Sequence, residues 1–137
     1  MSSRVETKNT VTYNLEDGET LHREDGPAFT YLWNKDVPKY ESYHLNGKRT
    51  REDGPAVIEY FPNGQVKEEQ WYVDDSMHNT KGPAWKEYDE NGVLRVERWM
   101  TNGLLDRADL PAYIVYDESG KVAHQQYFKL GEEYFKG

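Results

Sequence analysis

The chain has 137 residues, no cysteine and a formal charge of −8. Leu, Ile, Val and Phe supply only 25 residues, the level of a disordered chain, yet 19 residues are Trp, Tyr or Phe, which disordered chains lack. The reading is one folded domain that buries rings, with disulfide scaffolds, thiol nucleophiles and Cys-ligated zinc excluded, no apolar run near the roughly 18 residues of a membrane span, and no signal-peptide core after Met1. The acidic balance argues against nucleic acid or an anionic membrane held by bulk charge. A cytoplasmic protein is the expectation.

Residues 1–10 are polar and predict a flexible N-terminus, with a single repeat domain over 11–137. Val11–Leu15 followed by Asp17-Gly18 predicts a lone return strand that opens the array. From there a repeat governs the chain. Pro-Ala occurs at Pro27-Ala28, Pro55-Ala56, Pro83-Ala84 and Pro111-Ala112, always 28 residues apart. Arg23, Arg51 and Arg107 lie four residues before the proline, with Asn79 as the exception. Asp25, Asp53 and Asp109 lie two before, with Lys81 as the exception. Tyr60, Tyr88 and Tyr116 follow the proline by five, with Leu32 in the first unit. Tyr43, Trp71, Trp99 and Tyr127 follow it by sixteen. The units fall near 23–50, 51–78, 79–106 and 107–134.

Each unit predicts a β-hairpin. Ala56–Phe61 is β-branched and aromatic, hence a strand. Pro62-Asn63-Gly64-Gln65 follows, where Asn-Gly supplies the positive φ angles of a tight turn, and Val66–Val73 returns. The same pattern gives Ala84–Tyr88 with Leu94–Met100, and Ala112–Tyr116 with Val122–Phe128. In the first unit Asn34-Lys35-Asp36-Val37 replaces the glycine turn, so a different loop shape is expected. A second turn joins successive hairpins at Asn46-Gly47, Asp74-Asp75, Asn102-Gly103 and Gly131. Glu133-Tyr134-Phe135 closes the array. Nothing has helical periodicity over three turns. The expected fold is all-β: an antiparallel meander of four 28-residue β-hairpin repeats in one elongated twisted sheet.

Tyr60-Phe61-Pro62-Asn63-Gly64 with Glu69-Gln70-Trp71-Tyr72, and Tyr88–Gly92 with Glu97-Arg98-Trp99, resemble the MORN-repeat and MORN-repeat-variant proteins. That group includes bacterial antitoxin-type proteins. The run His22–Ala28 resembles a longer version of the repeat found in bacterial, phage and giant-virus proteins. The resemblance spans residues about 13 to 135 and implies stacked β-hairpins acting as a scaffold or interaction surface. Gly-Pro-Ala stands where the family has its second Gly-x-Gly, and the acidic charge weakens any phospholipid role.

Three residue sets are candidates. The Arg-x-Asp pairs Arg23/Asp25, Arg51/Asp53 and Arg107/Asp109 read as structural, because a motif needed in every unit builds the unit. The ring stripe Tyr43, Trp71, Trp99 and Tyr127 reads first as core, and as partner anchors if its face is open. Trp33 and Trp85 lie off the stripe and are the better candidates for a specific contact. Glu69 and Glu97 recur at one repeat position beside the stripe; paired carboxylates suit glycoside chemistry only across a cleft, which a flat sheet lacks. His22, His44, His78 and His124 have no metal-ligand spacing, and no nucleophile elbow or phosphate loop occurs. No metal or cofactor is expected.

The leading expectation is a non-catalytic module that binds a protein partner through an extended aromatic and acidic face. The alternatives are a small acidic inhibitor, antitoxin-like or viral, and a carbohydrate-binding sheet using Trp71, Trp99, Glu69 and Glu97. The oligomeric state is open at this stage.

Overall fold

The computed structural model describes residues 2–136. Met1 and Gly137, the outer ends of the two expected segments, lie outside them. Among the described residues there are seventeen strands and no α-helix. Strands β1 (Ser3–Glu6), β2 (Thr10–Asn14), β3 (Phe29–Asn34), β4 (Val37–Ser42), β7 (Val57–Tyr60), β8 (Val66–Gln70), β11 (Trp85–Tyr88), β12 (Leu94–Arg98), β15 (Tyr113–Tyr116), β16 (Val122–Lys129) and β17 (Glu132–Tyr134) form one open antiparallel sheet in chain order. Three two-stranded ribbons branch from it: β5 (His44–Leu45) with β6 (Lys48–Arg49), β9 (Tyr72–Val73) with β10 (Ser76–Met77), and β13 (Met100–Thr101) with β14 (Leu104–Leu105). In the last unit the equivalent ribbon is the end of β16 paired with β17, Tyr127 opposite Tyr134.

The expected all-β meander is therefore the observed fold, with two differences in detail. The return strands of the second and third units are shorter than the sequence suggests, while that of the last, Val122–Lys129, runs one residue further. At Tyr43, Trp71 and Trp99 the chain leaves the main sheet, and the next two residues pair inside a ribbon instead. The segment expected to be flexible also contributes a strand. Ser3–Glu6 pairs with Val11–Asn14, closed by Thr7 and Thr10, whose N–H and carbonyl bond at 2.8 Å. Ser3–Glu6 is polar except for Val5 and exposed throughout, so it carries no burial signal, which is why composition missed it.

The two turn types differ. The ribbon turns have positive φ at both central residues: Asn46 (51°) and Gly47 (82°), Asp74 (45°) and Asp75 (69°), Asn102 (48°) and Gly103 (84°), Leu130 (47°) and Gly131 (84°). That is the twist-matched two-residue hairpin geometry. In the main-sheet turns only the glycine is left-handed, Gly64 at 90°, Gly92 at 83° and Gly120 at 89°. The expected positive φ at Asn63 is thus corrected: its side chain instead accepts the Gln65 N–H at 2.9 Å, an Asx-type bend. In the first unit a two-residue loop, Lys35-Asp36, joins Asn34 to Val37 without a left-handed residue.

Successive ribbons are laced together by backbone bonds at the same repeat positions. Gly47 donates to Leu21 O at 2.9 Å, Asp75 to Arg49 O at 2.9 Å, Gly103 to Met77 O at 2.8 Å and Gly131 to Leu105 O at 2.8 Å. The side chains before them help. His22 Nδ1 accepts the Asn46 N–H at 2.9 Å, His78 Nδ1 the Asn102 N–H at 3.0 Å, and Asp106 Oδ1 the Leu130 N–H at 3.0 Å. These two histidines are therefore turn fasteners, bound in the tautomer that leaves Nδ1 free to accept.

Little is enclosed. The chain exposes 8572 Å², against about 7400 Å² expected of a compact protein of its mass. Ala28, Ala56, Ala84 and Ala112 are fully buried, and no large side chain among the described residues is. Each alanine faces, in register, a ring on the preceding strand: Tyr13, Tyr43, Trp71 and Trp99. The guanidinium of Arg23 lies 3.9 Å from the Tyr13 centroid, that of Arg51 4.0 Å from Tyr43, and that of Arg107 3.6 Å from Trp99. The same guanidinium groups donate to the carbonyls of Pro27, Pro55 and Pro111 at 3.1–3.3 Å. Asn79 makes the equivalent bond to Pro83 O at 3.0 Å without the stack.

This packing explains the Gly of Gly-Pro-Ala. A Cβ on Gly26 would sit 2.8 Å from Arg23 Cζ and one on Gly54 3.0 Å from Arg51 Cζ, while Gly82, beside Asn79, has 3.6 Å. In the fourth unit Leu110 replaces glycine and Asp109 turns to a φ of 62°. Gly54→Ala is therefore expected to displace Arg51 and cost about 1 kcal/mol, the scale of a lost cation–π contact. Gly82→Ala should be near neutral. Denaturant unfolding of Gly54→Ala, Arg51→Ala and the double variant tests it, since a shared contact makes the two losses non-additive.

Candidate functional site

The pleat puts two chemically different faces on the main sheet. One face carries the repeating positions. Glu41, Ile58, Glu69, Lys86, Glu97, Ile114 and Gln125 lie opposite one another in a single row across seven strands. Tyr60 donates its hydroxyl to Glu41 at 2.6 Å, Tyr88 to Glu69 at 2.8 Å, and Tyr116 to Glu97. Trp99 Nε1 also donates to Glu97 at 3.0 Å. Burial, then the bonded carboxylates, push the Tyr60 and Tyr88 hydroxyls well above the usual phenol range and Tyr116 up to about 12. The ring stripe is on this face, but the rings do not stack on each other. Each has a cation over it: Arg51 on Tyr43, Lys86 on Trp71 at 5.4 Å, Arg107 on Trp99 and Lys136 on Tyr127 at 5.9 Å.

Tyr43, Trp71, Trp99, Tyr127, Glu69 and Glu97 are thus engaged in contacts that build the units. Arg23 and Arg51 bond Asp25 and Asp53 through Nε at 2.9 and 3.3 Å, and those aspartates point into solvent. Each of these aspartates is bonded by the arginine two residues before it. Arg107 keeps its ring and carbonyl contacts while Asp109 adopts the left-handed bend.

The other face varies from unit to unit. Phe29, Val57, Trp85 and Tyr113 share one repeat position; Tyr31, Glu59, Glu87 and Val115 a second; Tyr40, Glu68, Val96 and His124 a third. At the N-terminal end the variation produces a cleft of about 560 Å³ lined by Leu21, Phe29, Tyr31, Lys39, Tyr40, Ser42, His44 and Glu59. Phe29 and Tyr40 meet edge to face at 5.9 Å. Tyr31 is 40% exposed and Trp33 42%. Lys39 lies between these two rings, 5.4 and 4.6 Å from their centroids, because a bulge opposite Leu32 swings it to this side. Trp33 Nε1 donates to Tyr60 O at 3.2 Å, which fixes the indole. At the base, His44 is buried with Nε2 on Ser42 Oγ at 2.9 Å and Nδ1 unpartnered. Burial lowers its pKa, so the imidazole stays neutral.

Beside the cleft, Glu59, Glu68 and Glu87 face one another on three adjacent strands. Arg98 meets Glu87 at 3.3 Å and Lys67 approaches Glu59 at 3.9 Å. Among the described residues no Lys or Arg pairs with Glu68, which accepts the Gln70 amide at 2.6 Å. Burial, and then the neighbouring carboxylates, raise its pKa. Trp85 belongs to this face, with Arg98 4.4 Å over its ring and a buried, unpartnered Nε1. Among the described residues no group of three or more His, Cys, Asp or Glu is placed to hold a metal ion, and no helix is long and apolar enough to cross a membrane.

The MORN repeat variant model matches residues 56–74 and 84–98. Those segments are the hairpins β7–β8 and β11–β12, with Glu69, Trp71 and Glu97, so the chain carries MORN-like β-hairpin repeats. No curated protein and no solved structure matches the chain.

Of the residues singled out from sequence, the structure brings Trp33 to the cleft and Trp85 to the acidic row, and puts the stripe on the opposite face. Phe29, Tyr31, Tyr40 and His44 were missed. The signal was available: aligned by 28, the first unit has Tyr31 and Tyr40 where the second has Glu59 and Glu68.

Two pH effects follow. The raised tyrosines favour the neutral form when folded, so their contribution is intact below about pH 10 and lost as pH rises through the folded values. Unfolding by circular dichroism should coincide with tyrosinate absorbance between about pH 10 and 12. For Glu68 the sign is the same and the window lies at lower pH. Its ionised form costs stability at neutral pH, and the cost vanishes when the carboxyl is protonated. Glu68→Gln should therefore raise the melting temperature at pH 7 but not near pH 4; an equal rise at both would show that charge is not the cause.

Proposed function

We propose that the chain is a non-catalytic repeat module, acting in the cytoplasm, that binds a protein partner through the varied face, with Tyr31, Trp33 and the neighbouring cleft as its anchor. One observation carries this reading: contacts that close the units lie on one face, while the other changes from unit to unit and opens an aromatic cleft at one end. Half-exposed Tyr and Trp beside apolar depth is the make-up of interface hot spots. The absence of cysteine fits a reducing compartment.

The distribution of carboxylates supports recognition of a protein rather than mimicry of nucleic acid. Glu41, Glu69 and Glu97 are on one face, bonded to tyrosines, and Glu59, Glu68 and Glu87 on the other. Mimicry needs them gathered. For carbohydrate, the Trp71 and Trp99 faces are covered by cations and the adjacent carboxylates are engaged.

The full chain serves as bait for crosslinking and quantitative co-purification. Tyr31→Ser/Trp33→Ser is expected to lower recovery of the bound protein roughly tenfold, about 1.4 kcal/mol, while Glu118→Gln on an exposed turn leaves it unchanged. Equal recovery with wild type and the double variant would overturn the assignment of this face.

A further inference from the structure

The aromatic cleft and the carboxylate row are contiguous, because Glu59 belongs to both. Like charges directly opposite on neighbouring strands destabilise a sheet. Here three stand in a row, and the middle one has no cationic partner within the described chain. An apolar depression alone would fit many occupants. An apolar depression that runs into an acidic row whose middle carboxylate has no cation fits one whose apolar side chain is followed by positive charge. The same row repels phosphate and anionic lipid.

The spacing is fixed by the sheet. Tyr40 is on β4, and Glu59, Glu68 and Glu87 are on the next three strands. Strands lie about 4.8 Å apart, so the step from the cleft to Glu68 is about 10 Å. An extended peptide advances about 3.3 Å per residue, which makes that step three residues.

We propose that this face takes an extended, basic segment of a partner protein, with a large apolar side chain in the Phe29, Tyr31 and Tyr40 cleft and a Lys or Arg about three residues away over Glu59, Glu68 and Glu87. The proposal rests on the protein-binding reading above and names the chemistry of that partner. The cation relieves the repulsion in the row, so binding restores what the free protein lacks. The charged contacts set specificity and approach rate, and the cleft provides residence. Lys39 lines the same cleft over Tyr31 and Trp33, so its charge disfavours a cation in the cleft and leaves the acidic row as the place for it.

The test uses the immobilised full chain and a displayed library of random dodecapeptides. Enriched sequences should combine Phe, Trp, Tyr or Leu with Lys or Arg about three residues distant. A synthetic peptide of the enriched sequence should bind roughly tenfold more weakly to Glu59→Gln/Glu68→Gln, and more weakly in about 0.5 M salt. Those carboxylates oppose folding, so the double variant should melt no lower than wild type, which separates lost binding from lost structure. No enrichment, enrichment without basic residues, or affinity unaffected by Glu59→Gln/Glu68→Gln overturns the proposal. Purely apolar peptides that need Tyr31 and Trp33 overturn it while leaving the protein-binding reading standing. Peptides that bind equally to Tyr31→Ser/Trp33→Ser overturn both.

Discussion

A guanidinium over an aromatic ring, beside a fully buried alanine, is the contact from which three of the four units are built. Arg23 on Tyr13, Arg51 on Tyr43 and Arg107 on Trp99 repeat it at intervals set by the chain. It joins three separate pieces: the loop that carries the arginine, the strand that ends in the ring, and the next strand, which begins at the alanine. In the first two units the residue before the proline is glycine because the guanidinium occupies the space its Cβ would fill. The arginine also bonds the proline carbonyl, so the loop that provides the cation is itself held by it. Since the ring is covered by a side chain rather than by a second layer, the sheet needs no opposing sheet or helix on that face. This is how a chain so poor in branched aliphatics folds.

The repeat period, the all-β meander and the two turns per unit were legible because turn chemistry is local. Asn-Gly at 46-47 and 102-103 fixes two successive positive φ angles, and the same backbone accommodates Asp74-Asp75 once the flanking ribbon is in place. What failed was the assignment of faces. Alternation places a side chain only while the register is continuous. Bulges opposite Tyr60, Tyr88 and Tyr116, and a double irregularity around Leu32, shift parity inside every hairpin. Trp33 and Lys39 lie in that irregular stretch, so the sequence could not say that they bracket the side of the cleft. Rings and charges on both faces removed the remaining contrast. The strand at Ser3–Glu6 was hidden for another reason: an edge strand is stabilised by its ladder and its Arg4–Glu6 pair, neither of which leaves an apolar pattern.

Repetition and variation divide the labour. In a linear array each unit is stabilised by itself and by its neighbours, so a position that recurs is one the stacking needs. Ala28, Ala56, Ala84 and Ala112, the Glu–Tyr bonds and the arginine stacks meet that description. Tyr31, Glu59, Glu87 and Val115 do not, although they occupy one structural position. A position that can be aromatic, acidic or aliphatic without disturbing the fold is free to be set by something else. Within a single sequence this comparison takes the place of an alignment, because the four units sample one backbone environment.

The acidic row shows how far that freedom extends. Glu59, Glu68 and Glu87 are opposed in register where Gln, Thr or a β-branched residue would pair better. Lys67 and Arg98 offset the outer two only, and Glu68 remains half-buried with an amide for a partner. The sheet tolerates this because its cohesion comes from the opposite face and from the ribbons, whose backbone bonds continue past the row from Asp75 to Arg49 and from Gly103 to Met77. Charge that opposes folding persists most readily where another interaction uses it. In this sheet the charge lies next to the aromatic cleft on the varied face, so a position that opposes folding adjoins one suited to hold a partner.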